Sequence, residues 1–141
     1  MSKEKILVSA CLLGINCKYD GGNNLNKNVI DYLKDKEVIP ICPEVYGGLC
    51  TPRLPAEIKE NKVYNKSGED VTDYFNKGAQ EVLKIAKLLN VKTALLKAKS
   101  PSCGLNKIYD GTFSGKIIDG DGITVQLLKK NNITIITEKD I

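Results

Sequence analysis

Short apolar runs of strand length alternate with longer stretches of helical periodicity along this chain. The apolar runs cover residues 5–13, 38–41, 93–97 and 133–137, and the helical patterns cover 26–36, 71–89 and 123–130. The predicted order is therefore β-α-β-α-β-α-β. Parallel strands need crossover connections, and each crossover returns over a face of the sheet in a right-handed sense. The alternation thus favours a parallel sheet with helices on both faces.

The composition agrees with one globular domain. The chain has 141 residues, of which 42% are hydrophobic and 27% are charged, as in typical soluble domains. We therefore predict a single-domain, three-layer α/β fold over residues 1–141, of the Rossmann or flavodoxin type, with about four parallel strands. The polar stretch 57–68 lies outside this pattern, and we expect a hairpin around 65–68.

Three cysteines follow three different predicted strands. Cys11 lies near the end of the first apolar run, and Cys42 and Cys103 follow the second and third runs. Pro43 and Pro101 stop the strand ladders at the last two of these positions. The carboxyl ends of parallel strands share one edge of the sheet, where α/β proteins bind their ligands. We therefore expect the three thiols to meet in one crevice.

These thiols allow more than one interpretation. Free cysteines are often buried as small hydrophobic residues, so a purely structural role stays open. The chain has no histidine, and any metal would be held by sulfur or oxygen. Three thiolates suit either an iron-sulfur cluster with one open iron or a zinc ion with an exchangeable position. Cys17 and Cys50 could complete a four-cysteine site, but neither follows a strand, and we interpret both as supporting or incidental.

The cysteine usage indicates a reducing compartment. There are five cysteines, an odd number without the regular spacing of a secreted disulfide framework. Residues 8–11 resemble a lipoprotein cleavage site. However, the apolar run before Cys11 begins at Ile6 and is shorter than the minimum of about seven residues that a signal core requires. No stretch of the sequence could span a membrane. We expect a cytoplasmic protein without a membrane partner.

The charged residues limit the partners. The formal net charge of +4 is modest and allows an anionic ligand or an RNA contact, but it does not indicate DNA binding. Arg53 is the only arginine and lies in a proline-rich segment. Its planar fork would suit bidentate binding of an anion or a carboxylate. The alternative is that a lysine-biased composition left one arginine by chance.

Six sequence motifs extend over nearly the whole chain. They are SACLLGINCKYDGG at 9–22, CPEVYGGLCTPRLPAE at 42–57, SGEDVT at 67–72, KSPSCG at 99–104, YDGTFSG at 109–115 and DGITVQLL at 121–128. Together these motifs resemble those of the thiouracil desulfurase family of bacteria and archaea. Lys18 stands where the family usually has arginine, which keeps the charge but removes the planar fork.

The resemblance implies a [4Fe-4S] cluster held by Cys11, Cys42 and Cys103. It also implies non-redox desulfuration of a thiolated nucleobase such as 2-thiouracil, in which the open iron binds the sulfur and polarises the C=S bond while water attacks the carbon. Glu44, two residues from Cys42, matches the catalytic carboxylate of the family and is placed to move protons.

Other polar residues are assigned around this centre. Ser100 is predicted to bind the base or the attacking water as a catalytic residue, and Ser102 competes with it for that contact. Both serines could instead cap the turn around Pro101. Asp20 and Arg53 are predicted to bind substrate with Ser102, although an aspartate before glycine often serves turn chemistry.

The sequence therefore predicts an iron-sulfur desulfurase that acts on a small thiolated base, as the free base, a nucleoside or a nucleotide of thiolated tRNA. We expect a monomer or a weak dimer. The alternative is a non-catalytic protein that binds a metal through cysteines or carries sulfur. Glu44 discriminates between the two, because a structural metal site needs no acid beside a ligand.

Overall fold

Strands and helices alternate through most of the chain in the computed structural model, which describes residues 3–141. A short 3-10 helix (Ala10–Leu13) follows the first strand. The elements in chain order are β1 (Lys5–Ser9), α1 (Lys27–Tyr32), β2 (Glu37–Ile41), α2 (Pro43–Tyr46), β3 (Ala56–Lys59), β4 (Lys62–Asn65), α3 (Thr72–Leu89), β5 (Thr93–Leu96), β6 (Lys107–Tyr109), β7 (Ile117–Asp119), α4 (Ile123–Lys130) and β8 (Thr134–Thr137).

Four of the strands form the central sheet, in the order β2-β1-β5-β8. All three pairings are parallel, with Leu7 of β1 opposite both Ile39 of β2 and Ala94 of β5. Pro40 lies within β2, where it is tolerated because β2 is an edge strand. This sheet confirms the predicted α/β class and its four parallel strands.

Both faces of the sheet are buried, because neighbouring residues of a strand point to opposite faces. On one face, Leu7 packs in a cluster with Val82 of α3 and Leu128 of α4. On the other face, Ile6 and Val8 pack with residues of α1 and its surroundings. The helices thus cover both faces, as the three-layer prediction requires.

The longest helix, α3, buries an apolar stripe along one side. Phe75, Ala79, Val82 and Ala86 are buried, as their spacing predicts, whereas Leu89 at the end of the helix is partly exposed. The side chain of Asp70 accepts a hydrogen bond from the Thr72 amide at 2.9 Å, so it supports the start of α3 although it is not the N-cap residue. No helix within residues 3–141 is long and apolar enough to cross a membrane.

The structure differs from the sequence prediction in the connections. The first strand ends at Ser9, because residues 10–13 turn into the 3-10 helix. The hairpin lies at β3 and β4, with Glu60 and Asn61 at positive φ in its turn, and not around 65–68. A second hairpin, β6 with β7, lies between β5 and α4, where the sequence pattern predicts no strand.

The short helix α2, which the sequence did not indicate, packs directly on α3. A Cβ added at Gly78 would lie 1.9 Å from the Pro43 carbonyl oxygen, and one added at Gly47 would lie 2.0 Å from the Tyr74 carbonyl oxygen. Two glycines therefore allow the backbones to touch. This contact fixes the segment that follows Cys42.

Candidate active site

A cavity of about 510 Å³ lies at the carboxyl edge of the sheet. Its volume is within the usual range for small-molecule sites. It collects residues that are far apart in the sequence. Those with reactive or polar side chains include Cys11, Cys17, Cys42, Cys103, Glu44, Arg53, Ser100, Ser102, Lys97 and Glu57.

The three cysteines predicted to converge all line this cavity. Cys11 lies in the 3-10 helix after β1, and Cys42 is the N-cap residue of α2 after β2. Cys103 is buried in the connection that leads from β5 towards β6. Each thiol is therefore positioned by the end of a different parallel strand, and the topology brings them to one edge.

Burial and neighbouring thiols shift the cysteine pKa values. Burial raises the pKa of Cys103 to about 12 and also raises the pKa of Cys11. A hydrogen bond with the Cys17 thiol lowers the pKa of Cys42 to about 7, with further help from the Val45 amide in α2. The Cys42 thiol is thus the one most readily ionised among these ligand candidates.

Cys17 lies closer to the site than the sequence indicated. It lines the cavity, and its carbonyl oxygen is 3.9 Å from the Cys42 sulfur. The separate hydrogen bond between the two thiols raises the pKa of the Cys17 thiol. No strand-end pattern marks Cys17, because the loop that carries it is placed by tertiary contacts. Cys50, in contrast, is exposed and outside the cavity lining.

Glu44 is held by two side chains in the first turn of α2. Its Oε1 accepts a hydrogen bond from Arg53 Nε at 3.0 Å, and its Oε2 accepts one from the Ser102 hydroxyl at 2.9 Å. The Glu44 and Arg53 side chains are only 15% and 9% exposed, respectively. The carboxylate is therefore fixed in orientation and charge-balanced beside the cysteines.

The two serines form one hydrogen-bonded chain with Glu44. Ser100 Oγ accepts the amide protons of Ser102 at 3.1 Å and Cys103 at 2.9 Å. Its own proton then points to Ser102 Oγ, 2.9 Å away, and the Ser102 proton points to Glu44. The serines thus cap the turn around Pro101, as the alternative interpretation predicts, and they also connect this turn to the carboxylate.

Arg53 joins the loops around the site through several single contacts. Its Nη2 donates to the Cys17 carbonyl at 3.0 Å, and its Nη1 donates to the Thr51 hydroxyl at 3.0 Å and the Cys50 carbonyl at 3.3 Å. Only Nε reaches Glu44. The guanidinium therefore positions a carboxylate of the protein through one nitrogen, in place of the expected bidentate contact.

Asp20 is the predicted site residue that the structure does not bring to the cavity lining. Its Oδ1 accepts a hydrogen bond from the Gly22 amide at 2.9 Å, and its side chain is 52% exposed. This is the turn geometry that aspartate before glycine commonly supports.

The sequence interpretation missed a cation beside the cysteines. Lys97 follows β5 directly and lines the cavity, where its Nζ lies 3.0 Å from Glu138 Oε2. The carboxylate of Glu138 is almost buried and also accepts the Ala98 amide at 2.8 Å. The position of Lys97 at a strand end was a signal that could have identified it, whereas Glu138 comes from the far end of the chain.

The donor set fits an iron-sulfur cluster better than a single metal ion. Within residues 3–141, no three His, Cys, Asp or Glu side chains are placed to hold one ion. A cluster binds each thiolate to a different iron, and so it needs sulfurs that are further apart. Cys11, Cys42 and Cys103 line one cavity and form no disulfide, and three thiols of this kind suit a cluster.

Comparison with known proteins identifies similar chains over nearly the full length. A protein-family model described as 2-thiouracil desulfurase matches residues 6–140. The uncharacterized protein YbbK of Bacillus subtilis (strain 168) is 42% identical over 146 residues, covering 96% of this chain and 97% of that protein. A solved structure described as the [4Fe-4S]-dependent thiouracil desulfidase TudS is 43% identical, with a TM-score of 0.93 over 99% of this chain and 93% of the other.

Proposed function

This chain belongs to the 2-thiouracil desulfurase family, and we propose that it removes sulfur from 2-thiouracil or a related thiolated base with the help of a [4Fe-4S] cluster. The observation that supports this most strongly is the meeting of three strand-end cysteines and a fixed carboxylate in one cavity. The overall reaction would replace the thiocarbonyl sulfur by the oxygen of one water molecule and release sulfide. It needs no external electron donor, because the carbon keeps its oxidation level.

We propose Cys11, Cys42 and Cys103 as the residues that hold the cluster. A cluster with three protein thiolates leaves one iron free, which supplies a thiophilic Lewis acid for the C=S group. Cys17 would contribute through its contact with Cys42 and not as a ligand, since it does not follow a strand end. The whole of residues 1–141 would form one domain around this site.

Glu44 is the proposed general base. It would take a proton from the attacking water and hold it at Oε2, where Ser102 already donates a hydrogen bond. Arg53 keeps Oε1 in place at 3.0 Å and balances the carboxylate charge. Movement of the carboxylate is thereby limited, and the proton acceptor is aimed before the substrate arrives.

Ser102 and Ser100 are the proposed partners of Glu44. Their hydroxyl groups form a chain in which each proton points toward the carboxylate, so the chain orients Glu44 and stabilises its negative charge. Ser100 also accepts the amide proton of Cys103, which connects the orientation of Glu44 to the position of a ligand cysteine. We leave Asp20 out of the proposed site because its carboxylate closes a surface turn.

We place the reaction in the cytoplasm. All five cysteines are unpaired in the structure, and unpaired thiols persist in reducing compartments. The substrate would be a free base or nucleoside in the first instance, because the cavity of about 510 Å³ has the size of a small-molecule site. A thiolated nucleotide of tRNA is the larger substrate to be compared with it.

The test is anaerobic reconstitution with iron and sulfide, followed by incubation with 2-thiouracil and with thiolated tRNA. We expect uracil and sulfide in equal amounts from the loaded protein. The matched controls are cluster-free protein and a loaded Cys50→Ser variant, which changes an exposed thiol outside the cavity. Loaded protein that binds the thiolated base without releasing uracil would instead support the non-catalytic sulfur carrier.

A further inference from the structure

Glu57 of β3 lines the same cavity, and only one of its two carboxylate oxygens accepts hydrogen bonds from the protein. Its Oε1 accepts the Gly111 amide at 3.0 Å and the Phe113 amide at 3.1 Å. Within residues 3–141, no donor binds Oε2, and this atom is not among the buried side-chain atoms without a partner. Oε2 is therefore accessible and free to accept a hydrogen bond, in a residue that lines the cavity.

Phe113 is an aromatic ring in an unusual place. It is half-buried and lines the cavity, whereas the only other phenylalanine, Phe75, is buried in the core. Its φ of 56° is in the left-handed region, which bulky residues rarely adopt. The hydrogen bond that the Phe113 amide donates to Glu57 offsets the cost of this conformation. Core packing does not explain the position of this ring, and strained residues of this kind concentrate at binding sites.

The loop that carries Phe113 is fixed on β3 before any ligand binds. A Cβ added at Gly111 would lie 2.7 Å from the Lys59 Cβ and 2.9 Å from the Ile58 carbonyl oxygen. The Asp110 amide donates to the Lys116 carbonyl at 3.0 Å, which closes the base of the loop. Hydrogen bonds to Glu57 Oε1 thus hold the loop of Phe113 beside this carboxylate. The ring of Phe113 and the free Oε2 of Glu57 are therefore a preorganised pair.

We propose that Phe113 and Glu57 form the subsite that recognises the base. The ring of Phe113 stacks on the flat face of a pyrimidine, and Glu57 Oε2 accepts a ring N–H. This inference rests on the proposed function and deepens it, because it assigns the substrate class: a planar heteroaromatic thione with at least one unsubstituted ring N–H. Tyr109 lines the cavity beside this loop and supports the same aromatic environment.

The geometry of Glu57 permits a substitution that changes only the free oxygen. Glu57→Gln keeps an oxygen for the amides of Gly111 and Phe113 but replaces the free oxygen by an NH₂ group, which cannot accept a hydrogen bond. Phe113→Leu keeps apolar bulk without the ring, and Phe113→Tyr keeps the ring. Tyr32→Ala, which removes an aromatic side chain outside the cavity, is the matched control.

Two readouts separate binding from chemistry. Binding of uracil to cluster-free protein, followed by ligand-observed NMR, should weaken on the order of tenfold or more in Phe113→Leu and in Glu57→Gln, but not in Phe113→Tyr or Tyr32→Ala. In loaded enzyme, KM for 2-thiouracil should rise by a similar factor while kcat changes little, because both residues bind the substrate without moving a proton.

N-methylated substrates identify the hydrogen bond. One of the two analogues, N1-methyl- or N3-methyl-2-thiouracil, should bind to wild-type enzyme about as weakly as the parent base binds to Glu57→Gln. For that analogue, Glu57→Gln should cause no further loss of affinity. The inference is overturned if active wild-type enzyme and the Phe113 and Glu57 variants share the same KM, or if both methylated analogues bind like the parent. Loaded wild-type protein that desulfurates no thiolated base would overturn the proposed function and this subsite with it.

Discussion

The Ser102 hydroxyl donates a hydrogen bond to Glu44 Oε2 over 2.9 Å, although 58 positions separate the two residues in the chain. Ser102 lies in the connection after β5, and Glu44 lies in α2 after β2. The contact therefore joins the ends of two strands that β1 separates in the sheet. It links the proposed proton acceptor to the turn that carries Cys103, so that acid–base chemistry and the ligand position depend on the same hydrogen bonds.

Replacement of Glu44 by Gln should separate chemistry from cluster binding. The amide preserves the shape and the contact with Ser102 but cannot take a proton, so kcat on 2-thiouracil should fall at least about a hundredfold. The iron-sulfur absorbance of the reconstituted variant should be unchanged. Near-normal turnover by fully loaded protein would remove Glu44 from the mechanism, and loss of absorbance would show that it supports the cluster.

The two serines should differ in their effects. Ser102→Ala breaks the link to Glu44 and should lower kcat by roughly tenfold or more while iron content stays normal. Ser100→Ala also leaves the Ser102 and Cys103 amides without their acceptor, so both activity and iron retention should fall. Measurement of kcat and iron per chain on the same samples checks both. Full activity in Ser102→Ala would contradict a role of this residue in orienting Glu44.

The cysteines should divide into two groups by iron content. Ser in place of Cys11, Cys42 or Cys103 should reduce the iron bound after anaerobic reconstitution, whereas Cys17→Ser and Cys50→Ser should keep about four irons per chain. Colorimetric iron analysis and visible absorbance provide the measurement. A Cys50→Ser protein without iron, beside a loaded Cys103→Ser protein, would show that the ligands are assigned wrongly.

Cluster-free protein should react selectively with iodoacetamide. The thiolate is the reactive form, and the pKa of Cys42 is lowered to about 7, so its alkylation should rise as the pH passes through neutrality. The pKa of Cys103 is raised to about 12 by burial, and this thiol should stay unmodified over the same range. Peptide mapping at several pH values distinguishes the two. Cys17→Ala should shift the Cys42 profile to higher pH, because alanine cannot donate the hydrogen bond that Cys17 supplies.

Gly78 provides a test of how α2 is positioned. Gly78→Ala would place a Cβ 1.9 Å from the Pro43 carbonyl oxygen, so the helices must separate at a cost of about 1–3 kcal/mol in the free energy of unfolding. Urea denaturation of the cluster-free protein measures this change. Gln80→Ala, at an exposed position of the same helix, should change stability by less than about 0.5 kcal/mol. Equal stability of the two variants would contradict a backbone contact at this point.

Much of this architecture followed from local patterns. The four parallel strands and the helix α4 (Ile123–Lys130) lie where hydrophobic periodicity places them, because burial on one or both faces imposes a period on the residues themselves. The meeting of Cys11, Cys42 and Cys103 around one cavity was also predictable, since parallel strands end at a common edge whatever their connections contain.

Only the tertiary structure decided the rest of the site. Cys17 reaches Cys42, Arg53 orients Glu44, and Glu57 holds the loop of Phe113, all through contacts between segments that have no periodic pattern of their own. The sequence predicts substrate binding for Asp20 and a supporting or incidental role for Cys17, yet Asp20 lies in an exposed turn and Cys17 lines the cavity. Periodicity records which face of an element is buried, whereas the path of a loop depends on hydrogen bonds to distant residues that come together only when the sheet has formed.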